Sequence, residues 1–244
     1  MALQNSFKFF PEEAKSIALI IASYGWIEFI LAYCTGHAIG GEEHGIRTIF
    51  RLNGSEARIK TAESLLLPIC KEGGHVTKLK ESIAAVTYCK SIRNQYAHAH
   101  FEGIQKKHGL FFSTMDEAKL DDFKFNFFFR HIDVPLLKKQ EAYFEYAIAC
   151  LQFIQDEVRV LTGANQVGHL TPWPVKISPP LKHNPPTKHI PPWLPEDQKQ
   201  QHLEAGEEWE RSAGLRPRPS KTRQVRPPSA AARRKVALAK SDGS

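Results

Sequence analysis

The chain has 244 residues, 42% hydrophobic and 10% aromatic, with 33 Lys plus Arg against 26 Asp plus Glu. That composition fills a core; it excludes full-length disorder and a collagen-like repeat, and its four scattered cysteines do not make a disulfide-stapled scaffold. The formal charge of +7 is unevenly placed: residues 1–170 hold 19 basic and 19 acidic side chains, whereas 171–244 hold 14 and 7, with 13 of the 16 prolines.

Pro11 followed by Glu12 and Glu13 suits a helix start, since proline tolerates the first turn and acids favour the positive end of the helix dipole. The helix is predicted over 11–36, where Gly36, Gly40 and Gly41 break it. Within it, 16–36 carries Glu28 as its only charge and is long enough to cross a bilayer. A carboxylate near the centre, beside Ser23, Tyr24 and Gly25, argues instead for a buried core or interface helix, so no membrane association is expected. A second helix over 42–52 ends at Asn53-Gly54. Ser55 is expected to cap a third, which Pro68 kinks or ends. Gly73-Gly74 separates that from a fourth helix over 75–98.

The period then changes. Segments 109–114 and 123–129 are short, aromatic and bounded by turn formers, and read as two strands of a hairpin or small flap, with a buried run of another kind over Phe125 to Phe129 as the alternative. A last long helix over 135–162 places Leu136, Tyr143, Tyr146, Ala147, Cys150, Phe153, Ile154, Val158 and Leu161 at helical spacing, and Gly163 closes it. The pairs Pro179-Pro180, Pro185-Pro186 and Pro191-Pro192 favour an extended polyproline chain that builds no core. A short helical turn is expected over 204–211, and 211–240 holds ten basic residues and no acid. The expected fold is therefore all-α, a helical bundle with a small β-hairpin insertion followed by a disordered proline-rich basic tail. Its parts are a body over 11–163, a linker over 164–210 and a basic arm over 211–244. No secretory leader is read before Pro11, and Cys34, Cys70, Cys89 and Cys150 form no C-x-x-C pair, so free thiols in a cytoplasmic chain are expected.

Polar chemistry concentrates at the end of the fourth helix, in Arg93-Asn94-Gln95-Tyr96-Ala97-His98-Ala99-His100. At 100° per residue from Leu79, Ile83, Val86 and Ala97 form an apolar stripe; Arg93 lies at about −40°, Asn94 at about +60° and His98 at about +100°. An arginine beside a core stripe is costly unless an anion, a carboxylate or a partner chain meets it. One reading pairs Arg93 with a carboxylate such as Glu28 and lets His98 cap the helix C-terminus.

The same residues resemble the R-x4-6-H signature of the HEPN (higher eukaryotes and prokaryotes nucleotide-binding) superfamily, over roughly 11–163. Arg93-x4-His98 satisfies it, Asn94 is the polar residue after the arginine, and His100 also falls in the window. The resemblance implies a homodimeric, metal-independent endoribonuclease with Arg93, Asn94, His98 and His100 as catalytic residues. Arg93 would clamp the scissile phosphate, Asn94 would orient either group, and His98 would act as acid or base, with His100 the alternative imidazole. Products would be a 2′,3′-cyclic phosphate and a 5′-hydroxyl, with RNA as partner and no cofactor or metal. Members of the superfamily also serve as non-catalytic dimeric scaffolds and as partners in toxin–antitoxin or defence systems, which is the alternative function and implies an antitoxin or defence-system protein as partner.

His98-Ala99-His100 and Cys34-x2-His37 are the short pairs that could ligate a metal, but neither has a second pair at zinc-site spacing. The basic arm suits RNA, DNA or an acidic surface alike. It has no aromatic residue after Trp209 on which bases could stack.

Overall fold

A computed structural model describes residues 6–102, 109–114, 119–121, 124–126, 129–164, 170–185, 190–191 and 194–212. Over these residues the protein is mostly helical: α1 Ser6–Phe9, α2 Pro11–Ala38, α3 Glu42–Phe50, α4 Ser55–Glu72, α5 Val76–Ala97, α6 Val134–Leu161 and α7 Glu196–Ser212. The all-α expectation holds at this level. The basic arm beyond Ser212 lies outside the described residues.

The core follows from two long stripes. In α2 the residues Ile17, Ile20, Tyr24, Ile27, Leu31 and Cys34 recur at alternating spacings of three and four, and all are buried. In α6 the same spacing runs through Leu137, Gln140, Phe144, Ala147, Leu151, Ile154 and Val158. These stripes face each other, and α2·α6 is the most extensive helix pair; α5 packs on both, and α4 closes the bundle against α2 and α5. All four cysteines are buried within it. Burial pushes the Cys70 and Cys150 thiols up to about 11, and those of Cys34 and Cys89 still further. The native protein should therefore resist thiol alkylation at neutral pH, and all four thiols should react once it is unfolded in urea; rapid labelling of the native chain would contradict this burial.

Three local expectations are corrected. Gly36 does not break α2, which runs to Ala38. A Cβ on Gly45 would come within 2.3 Å of Gly36 N, so these two glycines let α3 fold tightly back on α2. The turn itself falls at Gly40, where φ is +91°. Ser55 is not a cap but the first residue of α4, after Gly54 at φ +84°, because its hydroxyl is directed to Glu28. Nor does Pro68 end α4; it lies on the exposed side, where water can reach the Ser64 carbonyl left without a helical donor.

The strand pairing also differs from the predicted hairpin. β1 (Ala99–Glu102) and β5 (Arg130–Ile132) flank β2 (Leu110–Thr114) in one antiparallel sheet, whereas β3 (Lys119–Asp121) pairs with β4 (Lys124–Asn126) separately. As the middle strand, β2 buries Leu110, Phe111, Phe112 and Ser113 in succession, so it shows none of the alternation that would have revealed its partners. The sheet seats on the bundle through Phe101, Phe112 and Tyr96, whose rings lie 5.6–6.5 Å apart.

Residues 170–185 are extended, as the prolines require, but they do not hang free as a linker. They lie along α5 and α6, and their carbonyls accept hydrogen bonds from Tyr88, Gln95 and Gln140. A chain without an apolar core of its own docks here because Trp173 and Ile177 pack against the bundle and the buried amide of Gln140 finds its acceptors in this segment. The helical turn expected over 204–211 is the second half of the longer α7.

Candidate functional site

Arg93 takes the next place in the series Leu79, Ser82, Val86 and Cys89, which α5 buries. A guanidinium in that position needs partners, and two are supplied. Its Nη2 donates to Ser55 Oγ at 3.2 Å, and its central carbon sits 4.6 Å from the centre of the Tyr24 ring. Ser55 donates in turn to Glu28 Oε1 at 2.7 Å, while Glu28 Oε2 pairs with Arg58 Nη1 at 3.0 Å. Two arginines thus bracket one carboxylate that is 7% exposed.

The expected pairing of Arg93 with Glu28 is realised through Ser55 rather than directly. Ser55 and Arg58, three residues apart at the start of α4, both face Glu28, and Arg58 takes the ion pair. Arg58 is fixed further by donating to the Leu52 carbonyl at 3.2 Å and stacking over Phe50. Burial pushes the Tyr24 phenol up to about 12, with Ser55 and Arg93 pulling it down. Tyr24 therefore gives Arg93 a neutral π-face, not a counter-charge.

The rest of the motif behaves differently. Asn94 and His98 are exposed, and neither side chain has a hydrogen-bond partner among the described residues. His98 is the C-cap residue of α5, its backbone N–H donating to the Asn94 carbonyl at 3.3 Å. His100 stands on the outer strand β1 and pairs with Glu102 at 3.4 Å. No described contact joins Arg93 to His98 or His100.

Between the open residues lies a buried polar knot. Tyr96 is core, 2% exposed, and donates from its hydroxyl to Gln140 Oε1 at 2.7 Å. Gln140 donates to the Leu181 and Lys182 carbonyls at 2.8 and 3.0 Å, and Gln95 donates to the Lys182 carbonyl at 2.7 Å. Burial drives the Tyr96 phenol far upward, which removes it as a base near neutral pH. Gln140 was not among the predicted residues. Its signal was an amide in the α6 stripe where spacing alone calls for leucine.

Cys34 is buried against the Leu151 carbonyl, and His37 packs edge-on to Tyr33. Among the described residues no group of three or more His, Cys, Asp or Glu side chains converges as a metal site would require. No family model matches the chain, and neither does any curated protein or solved structure.

Proposed function

We propose that the chain is a metal-independent endoribonuclease that acts as a HEPN-like homodimer. The observation that carries this reading is the Arg-Asn-x3-His run at the end of α5, with Asn94 and His98 open to solvent and Arg93 anchored on another side of the helix. Guanidinium has five N–H donors, and the bond to Ser55 uses one, so Arg93 retains capacity for a phosphate. His98 removes the proton from a ribose 2′-OH as that oxygen attacks phosphorus. The bond to the 5′-oxygen breaks, and a second imidazole, that of His100 or of a second protomer, protonates the leaving group. Arg93 stabilises the charge developing on the phosphorane, and Asn94 orients the reacting groups. Arg93 and His98 lie about 140° apart around the α5 axis, so one helix does not aim both at one phosphate. Completing the site therefore requires a second group from outside this helix.

The outer face of α2 supports the dimer. Leu19, Ile21, Trp26 and Phe29 are 37–51% exposed there, around the small residues Ala18, Ala22 and Gly25. The face is self-complementary: an antiparallel two-fold crossing at Ala22 sets Trp26 over the opposing Ala18 and Leu19 over Gly25, whose Cβ position is empty. No lysine or arginine occurs between Lys15 and Arg47, which disfavours an RNA or an anionic membrane as the occupant. By length and composition Pro11–Ala38 is also the one helix among the described residues able to span a bilayer, but half of that apolar stretch is buried inside the bundle. Trp26→Ala should weaken self-association by about 2 kcal/mol, roughly thirtyfold, measured by light scattering across concentration. A wild-type monomer, or a dimer indifferent to Trp26, would contradict the interface.

The body is electrically neutral, so the case for RNA rests on Arg93, Asn94 and His98 and not on net charge. The arm over 211–244 would add non-specific phosphate affinity. The second reading, a non-catalytic dimeric scaffold or a partner in a toxin–antitoxin or defence system, draws support from the way Ser55 and Tyr24 hold Arg93 inside the network. Incubating mixed RNA with the wild-type chain in chelator separates the two. Cleavage that His98→Ala abolishes supports the nuclease, and intact RNA with an intact dimer supports the scaffold.

A further inference from the structure

We infer that the groove between α5 and α6 is a recognition site for an extended proline-rich peptide, with residues 171–184 as its resident ligand. From Pro174 to Leu181 burial has a period of three: Pro174, Ile177 and Pro180 are half-buried, whereas Val175, Lys176, Ser178, Pro179 and Leu181 are exposed, Val175 by 86%. Three residues per turn is the polyproline II repeat, so one edge of a left-handed helix lies in the groove. The lengths agree as well. Trp173 packs on Phe153 and near Lys78, and Lys182 meets Gln95. Nine polyproline steps from Trp173 to Lys182 cover about 28 Å, and seventeen helical steps from Lys78 to Gln95 cover about 26 Å.

Recognition uses the chemistry that suits such a ligand. A polyproline strand offers carbonyls and few N–H groups, and the groove presents donors: Tyr88 to the Pro180 carbonyl, Gln140 to Leu181 and Lys182, and Gln95 to Lys182. Aromatic contacts come from Phe153, edge-on to Trp173, and from Tyr88, whose ring lies under Lys182. Glu81 receives Lys176 at 3.0 Å while also accepting from Tyr146, which fixes where a lysine must stand in the peptide. The ends are pinned by Asp156, which accepts from Thr171, and by His131, whose carbonyl accepts from the Asn184 N–H. From Thr171 to Lys182 no residue is fully buried, so the segment lies on the bundle as a ligand does rather than forming part of its core. This inference does not rest on the nuclease reading.

The test measures binding, not activity. A fluorescent peptide of residues 170–185 is titrated into the full chain and into a full-chain Ile177→Asp variant whose own segment is weakened. The variant should bind at least roughly tenfold more tightly, because apparent affinity scales with the fraction of open grooves. Adding Gln140→Leu should abolish binding, and a scrambled peptide should not bind. A folded Ile177→Asp chain that takes up no peptide, or that ignores Gln140, would overturn the inference. Should that variant fail to fold, the wild-type chain can be cut at protease sites placed within 165–169 and 186–189. The freed segment should then exchange with labelled peptide; a segment that is lost at once, or that never exchanges under excess peptide, would overturn it equally.

Discussion

Glu28→Ala is expected to lower the stability of the folded chain by about 3 kcal/mol in urea unfolding, the low end for removing one partner of a buried pair. The Glu28 side chain is 10% exposed and is the only acidic partner described for Arg58, whose side chain is itself 22% exposed. Its removal also strips Ser55 of an acceptor and leaves Arg58 without its counter-charge. Partial solvent access to Arg58 keeps the cost from rising further. Adding Arg58→Met should restore part of the loss, since the second change removes the uncompensated cation. A loss under 1 kcal/mol would mean that the network contributes little. Arg93→Ala, by contrast, removes one hydrogen bond and one cation–π contact and should cost only about 1–2 kcal/mol. A fall in RNA cleavage well beyond what that destabilisation explains would mark Arg93 as a phosphate ligand as well as a structural one.

His98→Ala carries the second large effect. Its ring is exposed and has no partner among the described residues, so stability should change by no more than about 0.5 kcal/mol. Cleavage should nevertheless fall by roughly a hundred- to ten-thousandfold, the usual range for removing a general acid or base. His100→Ala should cost less, because that imidazole is already engaged by Glu102. If both variants cleave like the wild type, His98 is no more than a C-cap residue.

The helical body was legible from punctuation and period. Pro11, Gly40, Gly54, Gly73-Gly74 and Gly163 bound helices close to where spacing placed them, because backbone restrictions at these residues act locally. What escaped depended on contacts distant in sequence. Ser55 reads as a cap until Glu28 competes for its hydroxyl. The pairing of β2 with β1 and β5 was hidden because a strand buried on both faces has no alternation to read. The proline-rich segment read as linker because its prolines favour an extended chain, and what docks it is Trp173 and Ile177 packed against the bundle together with carbonyl oxygens met by Gln140, a single polar residue in an otherwise apolar stripe. For the motif, sequence located Arg93 beside the core and His98 outside it. It did not disclose that Ser55 and Tyr24, which come from two other helices, hold the arginine in place.

Cleavage of RNA by this motif through the ribose 2′-OH, as proposed, is tested most directly by end-group analysis of RNA incubated in EDTA. The wild-type chain should generate new 5′-hydroxyl and 2′,3′-cyclic phosphate ends that are absent with His98→Ala. Intact RNA, ends of another chemistry, or equal cleavage by the variant would contradict it.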